Sequence, residues 1–236
     1  MRFKLTLFCI FIGIILTIST VAAVQYPSEK PSVDSGQKVY TMNCAGCHGI
    51  KGDGSVFKGA PDFTNQDTMI NKNSSLFFDA VSEGVPGTAM PGFGSLSVSE
   101  MWDVVAYTWT FWADRDSAGR GKIIYESKCA GCHGIKGDGS ADARDFTKPE
   151  NMVKTPSVLF NSVSEGIPNS AMRPWKSVLS ENERWDAVKY VWSFQFKEYI
   201  ADASSDQTKS TPVGNGLILI SFTLAICLVY LSGNRK

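Results

Sequence analysis

Only two of the 236 residues are histidine, His48 and His133. A chain so poor in histidine has no imidazole left for acid–base chemistry once those two are engaged elsewhere. An excess of one charge is also missing, since Lys+Arg and Asp+Glu both total 23. No basic surplus therefore points to nucleic acid as a partner. Cysteine is sparse, at six residues. Two of these, Cys9 and Cys227, lie in apolar runs at opposite ends and cannot pair with a cysteine of the chain between them. Otherwise the composition, 43% hydrophobic and 19% charged, is ordinary for a globular protein. The length allows one or two domains plus targeting segments.

Both ends read as membrane-related. Arg2 and Lys4 precede an apolar run from Leu5 to Ile18, followed by the small residues Ser19 to Ala23. This predicts a secretory signal peptide over residues 1–23, with an uncleaved anchor as the alternative. Residues 24–33 read as a linker. Near the other end, residues 213–231 are apolar except for a few small polar residues. At ~1.5 Å per residue, about 19 residues span roughly 28 Å, enough for a bilayer core. Arg235 and Lys236 follow in a tail over 232–236, and positive flanks stay cytoplasmic. The expectation is a transmembrane helix over 213–231, reached through a tether over 201–212 rich in Ser, Asp and Thr. The bulk of the chain would lie outside the membrane.

The remaining four cysteines fall in two motifs, Cys44-Ala45-Gly46-Cys47-His48 and Cys129-Ala130-Gly131-Cys132-His133. Exported proteins usually spend cysteine on disulfides, whereas C-x-x-C-H is the attachment signature of c-type haem. The two thiols add across the haem vinyl groups, and the adjacent histidine binds the iron. A zinc site built from the four cysteines satisfies the ligand count but leaves the repeated histidine unexplained. A thioredoxin-like motif needs a βαβ context that is missing here.

The motif is part of a longer duplication. The block CAGCHGIKGDGS over 44–55 recurs unchanged over 129–140, at an offset of 85. Ala60, Asp62, Phe63 and Thr64 match Ala143, Asp145, Phe146 and Thr147. The run 81–84 matches 163–166; Pro86, Ala89 and Met90 match Pro168, Ala171 and Met172. Trp102, Tyr107 and Trp109 match Trp185, Tyr190 and Trp192. The reading is two domains, 34–115 and 116–200. Each is small for an independent core, and a covalent haem would supply the missing apolar body.

Each copy reads as mostly helical. The first helix ends at the cysteine motif, with Gly36, Val39 and Tyr40 on one face, matched by Gly121, Ile124 and Tyr125. A glycine-rich loop follows at Gly52-Asp53-Gly54. A short helix covers 75–83 and stops at Gly84. Ser97 with Glu100, and Ser180 with Glu183, predict capping boxes for the last helices. Trp102, Val105, Trp109 and Trp112 recur at helical spacing, as do Trp185, Val188 and Trp192. These aromatics are expected to pack against the first helix and the haem.

With both histidines used, a sixth iron ligand must be methionine, a weaker group, water or nothing. Two methionine pairs are duplicated: Met69 with Met152, and Met90 with Met172. Met90 and Met172 follow a glycine, a proline and an alanine in a stiff loop suited to presenting a thioether, and are the favoured pair. Met69 and Met152 read as core gap-fillers. Methionine opposite histidine raises the reduction potential and fills the iron's last position.

These features resemble the class I cytochrome c family, over roughly Ser35 to Tyr199. The tandem arrangement resembles the diheme cytochromes of bacterial respiratory chains. The resemblance implies an all-α fold of two cytochrome c-like domains plus the C-terminal transmembrane helix, and two covalently bound haem c groups. Cys44, Cys47, Cys129 and Cys132 would bind the cofactor, and His48, Met90, His133 and Met172 the iron. It also implies that a carbonyl from the Pro61 segment bonds His48; copy two has Arg144 at that position. The implied role is single-electron transfer on the outer face of the membrane, not catalysis. Its partners would be a quinol-oxidising complex and a terminal oxidase or reductase. A haem-bearing subunit of a larger oxidoreductase, or a diheme peroxidase, are the alternatives. Residues 34–115 carry 9 acids and 5 bases, and residues 116–200 carry 11 acids and 12 bases. That asymmetry reads either as surface drift or as two faces suited to different redox partners.

Overall fold

The computed structural model describes residues 26–27, 29–139, 143–148 and 154–197. Copy one holds helices α1 (Val33–Asn43), α2 (Ala45–His48), α3 (Gln66–Met69), α4 (Ser74–Glu83) and α5 (Val98–Trp112). Copy two holds α6 (Arg115–Lys128), α7 (Ala130–His133), α8 (Pro156–Glu165) and α9 (Glu181–Ser193). The described residues are otherwise loops and turns, with two isolated backbone bridges.

One part of the expected architecture is corrected. Among the described residues, no helix is long and apolar enough to cross a membrane. The longest, α5, has 15 residues, which at ~1.5 Å each fall short of a hydrocarbon core about 30 Å thick. The transmembrane helix expected over 213–231 is withdrawn from the fold, and with it the membrane attachment it was to provide. It lies outside the described residues, as do the signal peptide, the tether and the tail.

In both copies the first and last helices cross at a glycine. A methyl group on Gly36 would overlap the Asp103 carbonyl, and one on Gly121 would overlap the Asp186 carbonyl. Only a residue without Cβ lets the backbones come so close. Aromatic rings fill the rest of the crossing. Tyr40 meets Tyr107 at 5.3 Å and Phe111 at 5.1 Å; Tyr125 meets Tyr190 and Phe194, both at 5.2 Å. Both capping boxes form. The Ser97 and Ser180 hydroxyls accept from the backbone N–H of Glu100 and Glu183, whose carboxylates accept in return. Those hydrogen bonds hold the Glu100 and Glu183 carboxyls below their ordinary range.

The tryptophan stripe behaves differently from expectation. Trp102 stacks on Phe78 within copy one, and Trp185 on Phe160 within copy two. Trp109 and Trp112 instead face the other copy. Trp109 meets Trp192 at 4.6 Å, and Trp112 meets Trp185 and Trp192 at 6.3 and 6.4 Å. Trp109 and Trp192 occupy equivalent positions and are fully buried. A contact between equivalent residues marks a local two-fold relation, as in a symmetric dimer. The partner of Trp112 under that relation is Gln195, which is also buried and lines a small cavity beside Trp102.

Further bonds fasten the two copies. The Ser157 N–H donates to the Ile70 carbonyl at 2.8 Å, and the Ser157 hydroxyl to Asn71 Oδ1 at 3.0 Å. Lys189 lies over the Trp112 ring and 3.9 Å from Asp114. The stretch read as a linker is in part packed as well. Tyr26 stacks on Trp102 and shares a hydrogen bond with Ser75, while the Pro31 carbonyl accepts from Lys197 N–H at 2.9 Å.

Candidate functional site

Each cysteine motif forms a single tight turn that continues the first helix. Cys44 N–H donates to the Tyr40 carbonyl, and His48 N–H to the Cys44 carbonyl. Copy two repeats this with Cys129, Tyr125 and His133. The tyrosine hydroxyls tie the helix to the chain beyond. Tyr40 donates to the Gly49 carbonyl at 2.9 Å, and Tyr125 to the Gly134 carbonyl at 2.8 Å. The glycine-rich loop then folds back. Gly54 N–H donates to the His48 carbonyl and Phe63 N–H to the Gly52 carbonyl; Gly139 with His133 and Phe146 with Gly137 do the same. This brings a phenylalanine under each histidine. His48 stacks on Phe63 and His133 on Phe146, both at 4.9 Å.

The four motif cysteines form no disulfide. Cys44 and Cys129 are half-buried, and burial, helped by the neighbouring Cys47 and Cys132, pushes both thiols up to about 11. A catalytic redox thiol is instead held low, so a thioredoxin-type role does not fit. Among the described residues, no three His, Cys, Asp or Glu side chains gather as a metal cage. The two motifs therefore do not form one shared zinc centre.

Burial lowers the pKa of both histidines, favouring the neutral ring that can give a lone pair to a metal. Nδ1 of His48 is buried without a hydrogen-bond partner. The carbonyl implied by resemblance, from Pro61, is not bonded to it; the ring stacks on Phe63. Nδ1 of His133 is likewise outside hydrogen-bond geometry, although the Arg144 backbone lies near enough to favour its protonated form.

The methionine loops are built alike. Gly84 and Gly166 end the short helices at φ of 78° and 73°, a conformation that favours glycine. The Met90 carbonyl accepts from Val85 N–H at 3.1 Å, and the Met172 carbonyl from Ile167 N–H at 2.9 Å. The Thr88 hydroxyl donates to the Val85 carbonyl and accepts from Met90 N–H. Ser170 does both for Ile167 and Met172. Both methionines are half-buried. Met69 is fully buried in the core, and Met152 lies outside the described residues. After the methionine, Phe93 in copy one and Trp175 in copy two donate their N–H groups to the Val81 and Val163 carbonyls. Extending the repeat past Met90 and Met172 would have paired these two residues.

A cytochrome c family model matches residues 33–112, and that of cbb3-type cytochrome c oxidase subunit III matches residues 116–191. The chain belongs to the class I cytochrome c family. Similar curated proteins include the cbb3-type cytochrome c oxidase subunit CcoP of Azospirillum sp. (strain B510), 28% identical over 124 residues, covering 46% of this chain and 41% of the relative. CcoP of Cereibacter sphaeroides is 30% identical over 125 residues, covering 47% and 42%. This cytochrome thus spans about two fifths of the length of those relatives. Among solved structures, a chain of the Kuenenia stuttgartiensis reducing HAO-like protein complex Kustc0457/Kustc0458 is 21% identical over 72% of this chain and 99% of its own. Its TM-score of 0.31 is too low to bear on the fold.

Two domains of this family, each with a pair of free cysteines, carry two covalently bound haem c groups. The residues present fit that group. Each copy has two unpaired thiols, a histidine with an unsatisfied buried nitrogen, and a loop methionine.

Proposed function

We propose that this diheme cytochrome carries single electrons between components of a respiratory chain, with its haem domains on the outer side of the membrane. Haem c supplies reversible one-electron iron(III)/iron(II) chemistry when bound. Cys44 and Cys47, and Cys129 and Cys132, would form the thioether links. His48 and His133 would hold the iron, together with Met90 and Met172. The observation that carries this reading is the repeated methionine loop, with the same hydrogen bonds in both copies. A methionine in the last position leaves iron no open site for a substrate. The donor would be a quinol-oxidising complex, and the acceptor a terminal oxidase or reductase.

A second reading, a fixed haem-bearing subunit of a larger oxidoreductase, is favoured by the subunit III match on copy two and by the CcoP relatives. Co-purification with a cbb3-type oxidase under mild detergent separates it from a free carrier. A diheme peroxidase needs a ligand that leaves, and the paired methionine loops argue against one.

The test is ligand replacement. Met90→Ala and Met172→Ala should each abolish one low-spin methionine–histidine signal and open one haem to carbon monoxide. Loss of that signal in Met69→Ala instead would overturn the assignment.

A further inference from the structure

The two copies share a scaffold but not its charge. From Ser74 to Met101, copy one carries three carboxylates, Asp79, Glu83 and Glu100, and no cation. The matching stretch from Pro156 to Arg184 carries three carboxylates and three cations, Arg173, Lys176 and Arg184. These cations stand where copy one has Pro91, Gly94 and Met101.

Their placement separates them further. Lys176 pairs with Glu165 at 2.5 Å, so its charge is largely compensated. Among the described residues the two arginines have no such partner. Arg173, next to Met172, lays its guanidinium over the Trp175 ring at 4.5 Å. Arg184 reaches from α9 to the last turn of α8, donating to the Ser164 hydroxyl at 2.6 Å and lying 4.9 Å from the Phe160 ring centre. Neither forms an ion pair with a carboxylate among the described residues. Both are held by aromatic faces at the elements that carry the Met172 loop. Met101, in the position of Arg184, is buried in the core of copy one.

We infer that the uncompensated arginines Arg173 and Arg184 make the haem of copy two the higher-potential centre, so that electrons run within the chain from copy one to copy two. This rests on the carrier reading above. A fixed positive charge stabilises a centre that gains an electron, through Coulomb interaction that weakens with distance and salt. In the internal step, one electron leaves the reduced haem of copy one and reduces the oxidised haem of copy two, with no proton or co-reactant required. The packed seam at Trp109 and Trp192 keeps the two copies together while this happens.

The experiment is a spectroelectrochemical titration of the full two-haem chain at low ionic strength, in wild type, Arg173→Gln and Arg184→Met. Wild type should titrate in two one-electron steps. In each variant the higher step should fall, while the lower stays, and the double variant should bring the steps closest together. Raising the salt should shrink the wild-type gap. The inference is overturned if the lower step moves, or if neither step moves. Arg173→Gln, an exposed change, covers the case in which Arg184→Met does not accumulate. Failure of the carrier reading looks different, because the wild type would then not show two reversible one-electron steps.

Discussion

Gly119 and Gly121 sit two residues apart on α6 and should respond oppositely to the same change. A methyl group at Gly119 would meet nothing within 4 Å. At Gly121 it would overlap the Asp186 carbonyl and come within 2.9 Å of Tyr190 Cβ. Alanine is favoured over glycine in a helix interior by ~1 kcal/mol, so Gly119→Ala should stabilise by about that much. Gly121→Ala has the same propensity gain but overpacks the crossing, which costs about 1–3 kcal/mol. The blocking atoms are main chain and cannot rotate aside, which favours the upper end of that range. Parting α6 and α9 would also loosen the Tyr125–Tyr190 contact. The two variants should therefore differ by about 3 kcal/mol, or roughly 6–12 °C in melting temperature for a chain of this size. Thermal unfolding of the haem-loaded protein by far-UV circular dichroism reads the difference. If Gly121→Ala melts with Gly119→Ala, the glycine crossing is not what sets the helix spacing. Gly36→Ala should repeat the loss in copy one.

Trp192→Ala should cost about 3–5 kcal/mol and split one calorimetric unfolding transition into two, one per copy; a single unshifted transition would sink the seam as a fastening. Asp103 is buried and accepts from Ser32 N–H at 2.8 Å, and burial raises its pKa. The stability tied to that shift is full below the unfolded carboxylate range near ~3.9 and is lost as pH rises through the raised value. Asp103→Asn keeps an acceptor for Ser32, so it should match or exceed wild type at neutral pH, with the advantage vanishing at acid pH in urea melts. An advantage that grows on acidification would contradict this. Asp186 is instead held by Arg120, through bonds of 2.7 and 3.1 Å. Because Arg120 is 61% exposed, Asp186→Asn should lose no more than about 1 kcal/mol, read from denaturant midpoints.

Features written in local spacing were legible. The capping boxes need only a serine and a glutamate three residues apart. The glycine stops at Gly84 and Gly166 and the paired methionine loops followed from the repeat. The close approach at Gly36 and Gly121 was marked by two glycines on an otherwise larger face. Contacts between the copies were not legible. The Trp109–Trp192 pair looks like any core stripe when read along one helix, since its partner lies at the same position of the other copy. Tyr26 was hidden in a stretch with no periodicity. Helix α3 has only four residues, too few for a period to register. The charges at Arg173 and Arg184 were visible as letters, but their lack of a carboxylate partner among the described residues is a tertiary fact.

The most direct test of the central claim is the optical spectrum of the purified protein, oxidised and then reduced, with haem quantified per chain. Two covalent c-type haems per chain are expected, both showing the far-red band of methionine–iron(III) ligation, and neither binding carbon monoxide. A single haem, or a high-spin haem that takes up carbon monoxide, would contradict the claim.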